Sequence, residues 1–169
     1  MRKDVRKLPS QEELLRRFSY NPEIGEVRWN AMVGMRGIPG TIAGHKQKTS
    51  GYWVLMVDWR TYYAQRIIWK MMTGSDPEEQ IDHIDGDRMN NRWSNLRMAT
   101  NGQNKANGGL YKNNKSGYRG VCWDDHHNAW TVQVNRRRIG RFKALGDAVI
   151  ARDRAALRIQ GEFAKLNLV

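Results

Sequence analysis

The sequence predicts an α+β protein built from three small parts, and hydrophobic patterning carries this prediction. Short runs with a two-residue hydrophobic period alternate with runs of helical period along the 169 residues. A turn-rich middle segment indicates a hairpin followed by a helix, and the last third indicates three strands followed by one Ala-rich helix. We therefore expect a mixed α/β unit over residues 1–80, a compact core over 81–109, and a three-stranded sheet with one helix over 110–169.

Positive charge is the main feature of the composition. Lys and Arg number 29 against 17 Asp and Glu, which gives a net charge of +12, and residues 110–169 hold 12 basic and 5 acidic side chains. Such an excess favours a polyanionic partner, and double-stranded DNA is the first candidate.

Other classes of protein are excluded by simple observations. The longest apolar run, residues 52–57, falls well short of the roughly 18 residues that a membrane-spanning helix needs. The charged start leads into no hydrophobic stretch, so no secretory signal is expected. Cys122 is the single cysteine, which excludes an intramolecular disulfide and the paired cysteines of most structural zinc sites. We expect a soluble protein of a reducing cytoplasm with no membrane partner.

The first 80 residues predict two helices and several strands. Ser10 and Glu13 form a capping box, so a short helix begins at Ser10 and carries Phe18 at helical spacing. Three strand candidates and a second helix follow, over residues 26–29, 51–57, 61–64 and 66–72. The Gly-rich, basic loop over residues 35–50 either lies along a DNA backbone or is simply solvated.

Residues 81–100 carry the pattern of a hairpin. Period-two alternation places Asp82 and Ile84 on one face of the first strand and His83 on the other. A loop containing Gly86 turns the chain, and residues 96–99 return as the second strand.

A helix follows the hairpin and adds another polar residue. Thr100 and Gln103 form a second capping box, so Asn104 lies in the first helical turn, where it can point back toward Asp82. One carboxylate and one carboxamide oxygen suit Mg²⁺, whereas zinc requires sulfur or several imidazoles. Imidazole titrates near neutral pH, so His83 beside such a metal is the natural general base.

The order of polar residues through this segment is distinctive. Its anchored positions are Asp82-His83-Ile84-Asp85-Gly86-Asp87, Asn91-Arg92, Asn95-Leu96-Arg97 and Gln103-Asn104. This pattern resembles the His-Asn-His (HNH) nucleases with a ββα-metal core, in particular phage and intron-encoded homing endonucleases. The resemblance implies that residues 81–109 form such a nuclease core.

The resemblance also implies a role for four residues. Asp82 and Asn104 become the metal ligands, His83 the general base, and Asn95 the asparagine that braces the loop and orients His83. Asn104 stands where most of the family has a histidine, so this chain is similar to the His-Asn-Asn variant.

The last third predicts a sheet with one polar, basic face. In the second strand, Thr131 and Gln133 point away from the core, and Arg136, Arg138 and Arg141 add positive charge. The strand candidates and the helix span residues 118–123, 129–135, 138–142 and 145–159. The apolar stripe of the helix comprises Ala148, Val149, Ala155 and Ile159.

This segment resembles the DNA-binding domain of plant ethylene-response factors. The positions that carry the resemblance are Ser116-Gly117-Tyr118-Arg119-Gly120-Val121, Trp130, Ile139-Gly140-Arg141-Phe142, Asp147-Ala148 and Gly161-Glu162-Phe163-Ala164. It implies that the sheet enters a DNA groove. The DNA-contact candidates are Lys112, Lys115, Arg119, Trp123, Thr131, Gln133, Arg136, Arg138 and Arg141. Trp123 either packs on a sugar or caps the core.

Together, the parts predict a metal-dependent DNA endonuclease of the homing type that nicks double-stranded DNA at a specific site. Mg²⁺ is the expected cofactor, with Mn²⁺ as a substitute and no structural zinc. The products carry 5′-phosphate and 3′-hydroxyl ends, and residues 1–80 contribute DNA contacts. We expect a phage-encoded monomer or homodimer that acts in the cytoplasm of a bacterial host.

Two alternatives are open at this point. A DNA-binding regulator with an inactive core would bind DNA without cleaving it, and the asparagine at position 104 motivates this reading. An RNA-directed protein is less well supported, because Trp130 and Phe142 fall on the inward face instead of forming a stacking platform.

Overall fold

The computed structural model describes residues 7–34, 37–110 and 113–168, and it confirms the α+β class. Backbone packing divides the chain into two compact units, Met1–Ala99 and Thr100–Val169. The predicted boundaries, after residues 80 and 109, differ from this division because the middle hairpin packs into the core of the first unit. Within the described ranges, no helix is both long and apolar enough to cross a membrane.

The described part of the first unit contains two α-helices and seven strands. They are α1 Gln11–Arg17, β1 Phe18–Asn21, β2 Glu26–Trp29, β3 His45–Lys46, β4 Trp53–Val57, β5 Arg60–Tyr63, α2 Ala64–Thr73, β6 Gln80–His83 and β7 Leu96–Ala99. The antiparallel pairs are β1 with β2, β3 with β4, β4 with β5, and β6 with β7. The strands at residues 26–29 and 96–99 lie where the sequence predicts them.

Helix α1 begins as predicted and ends earlier. Ser10 Oγ accepts a hydrogen bond from the Glu13 N–H at 3.2 Å, which confirms the N-cap, while the Glu13 carboxylate binds Arg17 at 2.7 Å. Phe18 does not continue the helix but begins β1. Its fully buried ring packs on Trp29 with ring centroids 4.7 Å apart, so burial in the core overrides the helical spacing.

One hydrophobic core joins the helices and strands of the first unit. Leu14, Phe18, Ile67 and Ile68 are all completely buried in it. Ile81 of β6 and Leu96 of β7 belong to the same cluster. Because burying one such side chain stabilises the fold by about 1.5–3 kcal/mol, the middle hairpin depends on packing against the N-terminal residues.

The second unit has the predicted three-stranded sheet and helix. Its described elements are α3 Asn101–Asn107, β8 Val121–Asp124, β9 Ala129–Val134, β10 Arg137–Phe142 and α4 Leu145–Gln160, with the antiparallel strand order β10-β9-β8. Three residues of the predicted apolar stripe of α4 are buried, but Ile159 is 38% exposed and that prediction is wrong. Ala156, which is fully buried, takes its place against the sheet.

The turn between β4 and β5 is strained. Val57 pairs with Arg60, so Asp58 and Trp59 form a two-residue hairpin turn. Both have left-handed backbone angles, φ 47° and 62°, which cost a residue with a Cβ atom roughly 1–2 kcal/mol. The Trp59 side chain is 95% exposed, so packing returns little of this cost.

Trp59→Gly should therefore stabilise the protein by about 0.5–1 kcal/mol, because the relieved strain exceeds the extra conformational entropy that glycine loses on folding. Thermal unfolding measures the change as a higher Tm. Asp58→Gly is the matched control: it relieves the same strain but loses a 2.7 Å ion pair with Arg17, so its gain should be smaller. A lower Tm for Trp59→Gly than for the wild type would contradict the strain argument.

Candidate active site and nucleic-acid interface

The register of β6 against β7 places Asp82 and His83. Asp82 lies opposite Arg97, and His83 lies opposite Leu96. Both are buried, with 5% and 3% of their surface exposed. The Asp82 carboxylate accepts hydrogen bonds from Nε and Nη2 of Arg97, each at 3.1 Å. These two charge-assisted hydrogen bonds offset the free-energy cost of burying the carboxylate.

Asn95 braces the loop that connects the two strands. Its Oδ1 accepts from the Asp85 N–H at 3.1 Å, and its Nδ2 donates to Asp85 Oδ1 at 3.0 Å and to the Asn90 carbonyl at 2.8 Å. The Asn95 backbone also takes part: its N–H donates to the Arg92 carbonyl at 2.9 Å, and its carbonyl accepts from the Ile84 N–H at 2.9 Å. The shape of the loop therefore depends on this one buried amide.

Asn91 is a direct partner of His83. Asn91 Oδ1 lies 3.0 Å from His83 Nε2, and Asn91 is 3% exposed. The ring of Tyr52 lies against His83 with centroids 5.9 Å apart. The imidazole is thus bordered by an amide oxygen and an aromatic ring.

Tyr52 connects His83 to the loop before β4. The guanidinium of Arg88 lies 4.8 Å above the Tyr52 ring, and Arg88 Nη1 donates to the Ser50 carbonyl at 2.7 Å. Tyr63, at the end of β5, also packs on Tyr52, with ring centroids 5.1 Å apart. The β6–β7 loop is therefore tied to the β3–β5 sheet.

Asp85 carries the main electrostatic change in the loop. Partial desolvation raises the pKa of Asp85. Hydrogen bonds from Asn90, Asn95 and the Asp87 N–H, together with the nearby His83, lower this pKa by more than desolvation raises it. The net pKa of Asp85 is below its ordinary value of 3.8. The ionised carboxylate thus stabilises the loop.

Asn104 lies in the first turn of α3. Thr100 Oγ1 accepts from the Gln103 N–H at 3.3 Å and Gln103 Oε1 accepts from the Thr100 N–H at 2.8 Å, so the predicted capping box is confirmed. Helix α3 belongs to the second unit, and Asp82 belongs to the first. Metal binding by Asp82 and Asn104 therefore stays a prediction. Across the described residues, no group of three or more His, Cys, Asp or Glu side chains is placed to hold a metal.

Four of the predicted DNA contacts share the outer face of the β8–β10 sheet. Arg141 lies opposite Thr131, and Arg138 lies opposite Gln133. Directly paired residues point to the same face, and Val132 and Val134, on the opposite face, are buried. Asp124 interrupts the positive charge, because its carboxylate lies 3.7 Å from Arg141 Nε.

Two further candidates lie elsewhere in the second unit. Arg119 precedes β8, and its guanidinium donates to the carbonyls of Ala106, at 3.3 Å, and of Gly108. Trp123 lies opposite Trp130, with ring centroids 5.0 Å apart, and so occupies the face opposite to Thr131. Trp123 is 42% exposed, and both roles considered for it stay predictions.

Two of the remaining candidates lie in a turn and in a loop. Arg136 is exposed in the β9–β10 turn with φ 65°, and Lys115 is exposed before β8. Lys112 lies outside the described residues.

Sequence reasoning missed Arg97, Asn91 and Tyr52. Arg97 has a usable signal, because pairing the predicted strands places it directly opposite Asp82. Asn91 and Tyr52 have none, since Asn91 resembles any loop asparagine and Tyr52 is separated from His83 by two strands and a helix.

Comparison with known proteins assigns the class. The HNH endonuclease family matches residues 62–106, a range that includes β6, β7 and nearly all of α3. The chain therefore carries an HNH endonuclease domain, as the polar pattern of the hairpin and helix predicts.

A relative among phage proteins extends the match beyond this domain. Protein 3.8 of Escherichia phage T7 is 30% identical over 104 residues, which cover 59% of this chain and 86% of the relative. The chain belongs to the family of this phage protein. No solved structure matches the chain. The ethylene-response-factor resemblance of the last third stays a prediction.

Asn90→Ala should raise the pKa of Asp85 toward 3.8, because Asn90 Nδ2 donates to Asp85 Oδ2 at 2.7 Å. An NMR titration of the carboxyl carbon measures the shift. A carboxyl group whose pKa is lower in the folded state stabilises the fold at pH values above its unfolded pKa, and this stabilisation is lost as the pH falls through the folded pKa. The variant should therefore be less stable than the wild type at pH 7, and the difference in stability should shrink below about pH 4. A pH-independent loss would contradict this role of Asp85.

Proposed function

We propose that the protein is a metal-dependent DNA endonuclease of the homing type that nicks double-stranded DNA at a specific site. The observation that carries the proposal is the buried Asp82–His83 pair on a hairpin that leads into a capped helix, inside the segment matched by the HNH endonuclease family. The excess of positive charge in the last third supports a nucleic-acid substrate.

His83 is the proposed general base. Its side chain takes a proton from water, and the resulting hydroxide attacks the phosphorus in line. The bond between phosphorus and the 3′-oxygen breaks, and that oxygen takes up a proton from water. The products then carry 5′-phosphate and 3′-hydroxyl ends. Asn95 acts through the loop, where its three side-chain hydrogen bonds hold the segment that follows His83.

Asp82 and Asn104 are the proposed metal ligands. The donor set fits a hard divalent cation, because it offers a carboxylate oxygen and a carboxamide oxygen and no sulfur. When bound, Mg²⁺ or Mn²⁺ stabilises negative charge on the phosphate and on the departing oxygen. Arg97 holds the Asp82 carboxylate in place through two hydrogen bonds of 3.1 Å.

The outer face of the β8–β10 sheet is the proposed DNA-reading surface. Gln133 and Arg138 are paired across strands and exposed, and both side-chain types recognise base edges in the major groove. Phosphate contacts from other basic residues would set the position of the chain, whereas these few contacts would select sequence.

The biological setting follows from the relative. Because Protein 3.8 comes from a phage, we propose that this chain is also phage-encoded and acts in the cytoplasm of a bacterial host. One catalytic histidine per chain predicts that a monomer nicks one strand, and a homodimer would be needed to cut both strands together.

His83→Ala should lower the rate of Mg²⁺-dependent nicking by roughly 10²–10⁴-fold, because general-base catalysis is lost. The assay follows supercoiled plasmids that carry cloned phage and host fragments, with Mg²⁺, Mn²⁺ or EDTA. His45→Ala, an exposed histidine of β3, is the matched control and should cleave like the wild type. Salt-sensitive DNA binding without any metal-dependent cleavage across the fragment library would favour the regulator instead.

Arg138→Ala should weaken binding to the preferred DNA fragment by about 1–3 kcal/mol and reduce the preference for that fragment over random duplex DNA, because one base contact is lost. Fluorescence anisotropy with both duplexes measures the two affinities. Arg154→Ala removes an equal charge from an exposed position on α4 and should leave the preference unchanged. Equal effects of the two substitutions would contradict a DNA-reading role for the sheet face.

A further inference from the structure

The contact between His83 and Asn91 determines which imidazole nitrogen carries the proton. Asn91 Nδ2 faces the Met89 carbonyl at 3.4 Å, so Asn91 Oδ1 is the atom that lies 3.0 Å from His83 Nε2. A carboxamide oxygen only accepts hydrogen bonds. His83 must therefore donate through Nε2, and in the neutral ring this leaves Nδ1 as the nitrogen that can take a proton.

Asn91 is itself held by a segment far away in sequence. The hydroxyl of Tyr20, in β1, donates to the Asn91 carbonyl at 2.7 Å. Two residues further, the Trp93 N–H donates to the Pro22 carbonyl at 3.0 Å. Burial raises the pKa of Tyr20 from its ordinary value of 10.0 to about 12, so this hydroxyl still donates at pH values where an exposed tyrosine is ionised.

Gly25 brings the turn between β1 and β2 into direct contact with the same backbone. A Cβ atom at Gly25 would lie 2.5 Å from the Arg92 nitrogen and 2.6 Å from the Asn91 carbonyl carbon. Contacts this short do not occur, so any side chain at Gly25 would displace the backbone that carries Asn91. Its φ of +80° also favours glycine.

We propose that Asn91 is a positioning residue that fixes the proton of His83 on Nε2, and that the β1–β2 turn, residues 22–25, holds Asn91 at the required place. This inference rests on the proposed role of His83 as general base. It extends the catalytic architecture to Tyr20 and Gly25, which lie outside the HNH segment at residues 62–106.

The proton position is measured directly by long-range ¹H–¹⁵N NMR spectra of the histidine side chains of the full chain, with His83→Ala used to assign the signals. In the wild type, His83 should show the Nε2–H tautomer. Asn91→Ala should give a mixture of tautomers. Asn91→Asp, whose carboxylate also only accepts hydrogen bonds, should restore Nε2–H.

The kcat for nicking should change in parallel with the tautomer of His83 in these variants. Asn91→Ala should lower kcat for nicking by roughly 10–10²-fold, because the imidazole is no longer held in its productive orientation and part of the population also holds the proton on the wrong nitrogen, while the Kd for DNA stays within twofold. Asn91→Asp should recover most of kcat. Wild-type tautomer and kcat in a folded Asn91→Ala variant would overturn the proposal.

Gly25→Ala tests the turn against a matched control. Gly40 has nearly the same backbone angle, φ +82°, but a Cβ atom there would meet nothing within 4 Å. Both alanine variants bear the same backbone strain, but only Gly25→Ala adds a clash with the backbone of Asn91 and Arg92. Gly25→Ala should therefore lose more stability than Gly40→Ala, and it alone should shift the His83 tautomer and lower kcat. Equal effects of the two variants on the tautomer and kcat would contradict a positioning role for the turn.

The two readouts separate this inference from the proposed function. If the wild type nicked no DNA with any metal, the proposed function would fail, and the NMR spectra would still decide the proton position. If the wild type nicked DNA but showed the Nδ1–H tautomer, the endonuclease would stand and the positioning role of Asn91 would be wrong.

Discussion

The hydrogen-bonding register of β6 against β7 is the constraint on which the candidate site depends. It sets Arg97 opposite Asp82, so a buried carboxylate meets two donors at 3.1 Å. It also sends His83 to the opposite face of the strand, where Asn91 Oδ1 lies 3.0 Å from its ring. A slip of one residue would exchange the two faces and separate both pairs, because side chains alternate along a strand.

The hairpin buries an unusual amount of polar surface. Asp82, His83, Asn91 and Asn95 are each no more than 8% exposed. Buried polar groups destabilise a fold unless hydrogen bonds satisfy them, and each of these four has such a partner. A satisfied network of this kind is rigid, and loss of one member leaves the others unpaired. The same contacts that stabilise the loop therefore also limit the orientations that His83 can adopt.

The candidate chemistry draws on residues well outside the HNH segment. Tyr20, Gly25 and Tyr52 precede residues 62–106, yet they contact Asn91, Arg92 or His83. Ile81 and Leu96 share one hydrophobic core with α1 and α2, so the hairpin is stabilised by the preceding chain. The outer face of the β8–β10 sheet lies in the other compact unit. The first unit therefore contains the candidate base and the residues that position it, and the second unit contains the candidate DNA-reading face.

The local features and the order of polar residues can be predicted from the sequence alone. The N-cap at Ser10, the capping box at Thr100 and the strands at residues 26–29 and 96–99 are confirmed, because each depends on residues within a few positions of one another. The HNH pattern is recognisable for the same reason. Three other features arise from tertiary contacts: Phe18 leaves α1, Arg119 donates to carbonyls near the end of α3, and Asn91 contacts His83. These outcomes depend on packing and hydrogen bonds between segments that are not neighbours in the chain, and hydrophobic period and motif spacing carry no information about such contacts.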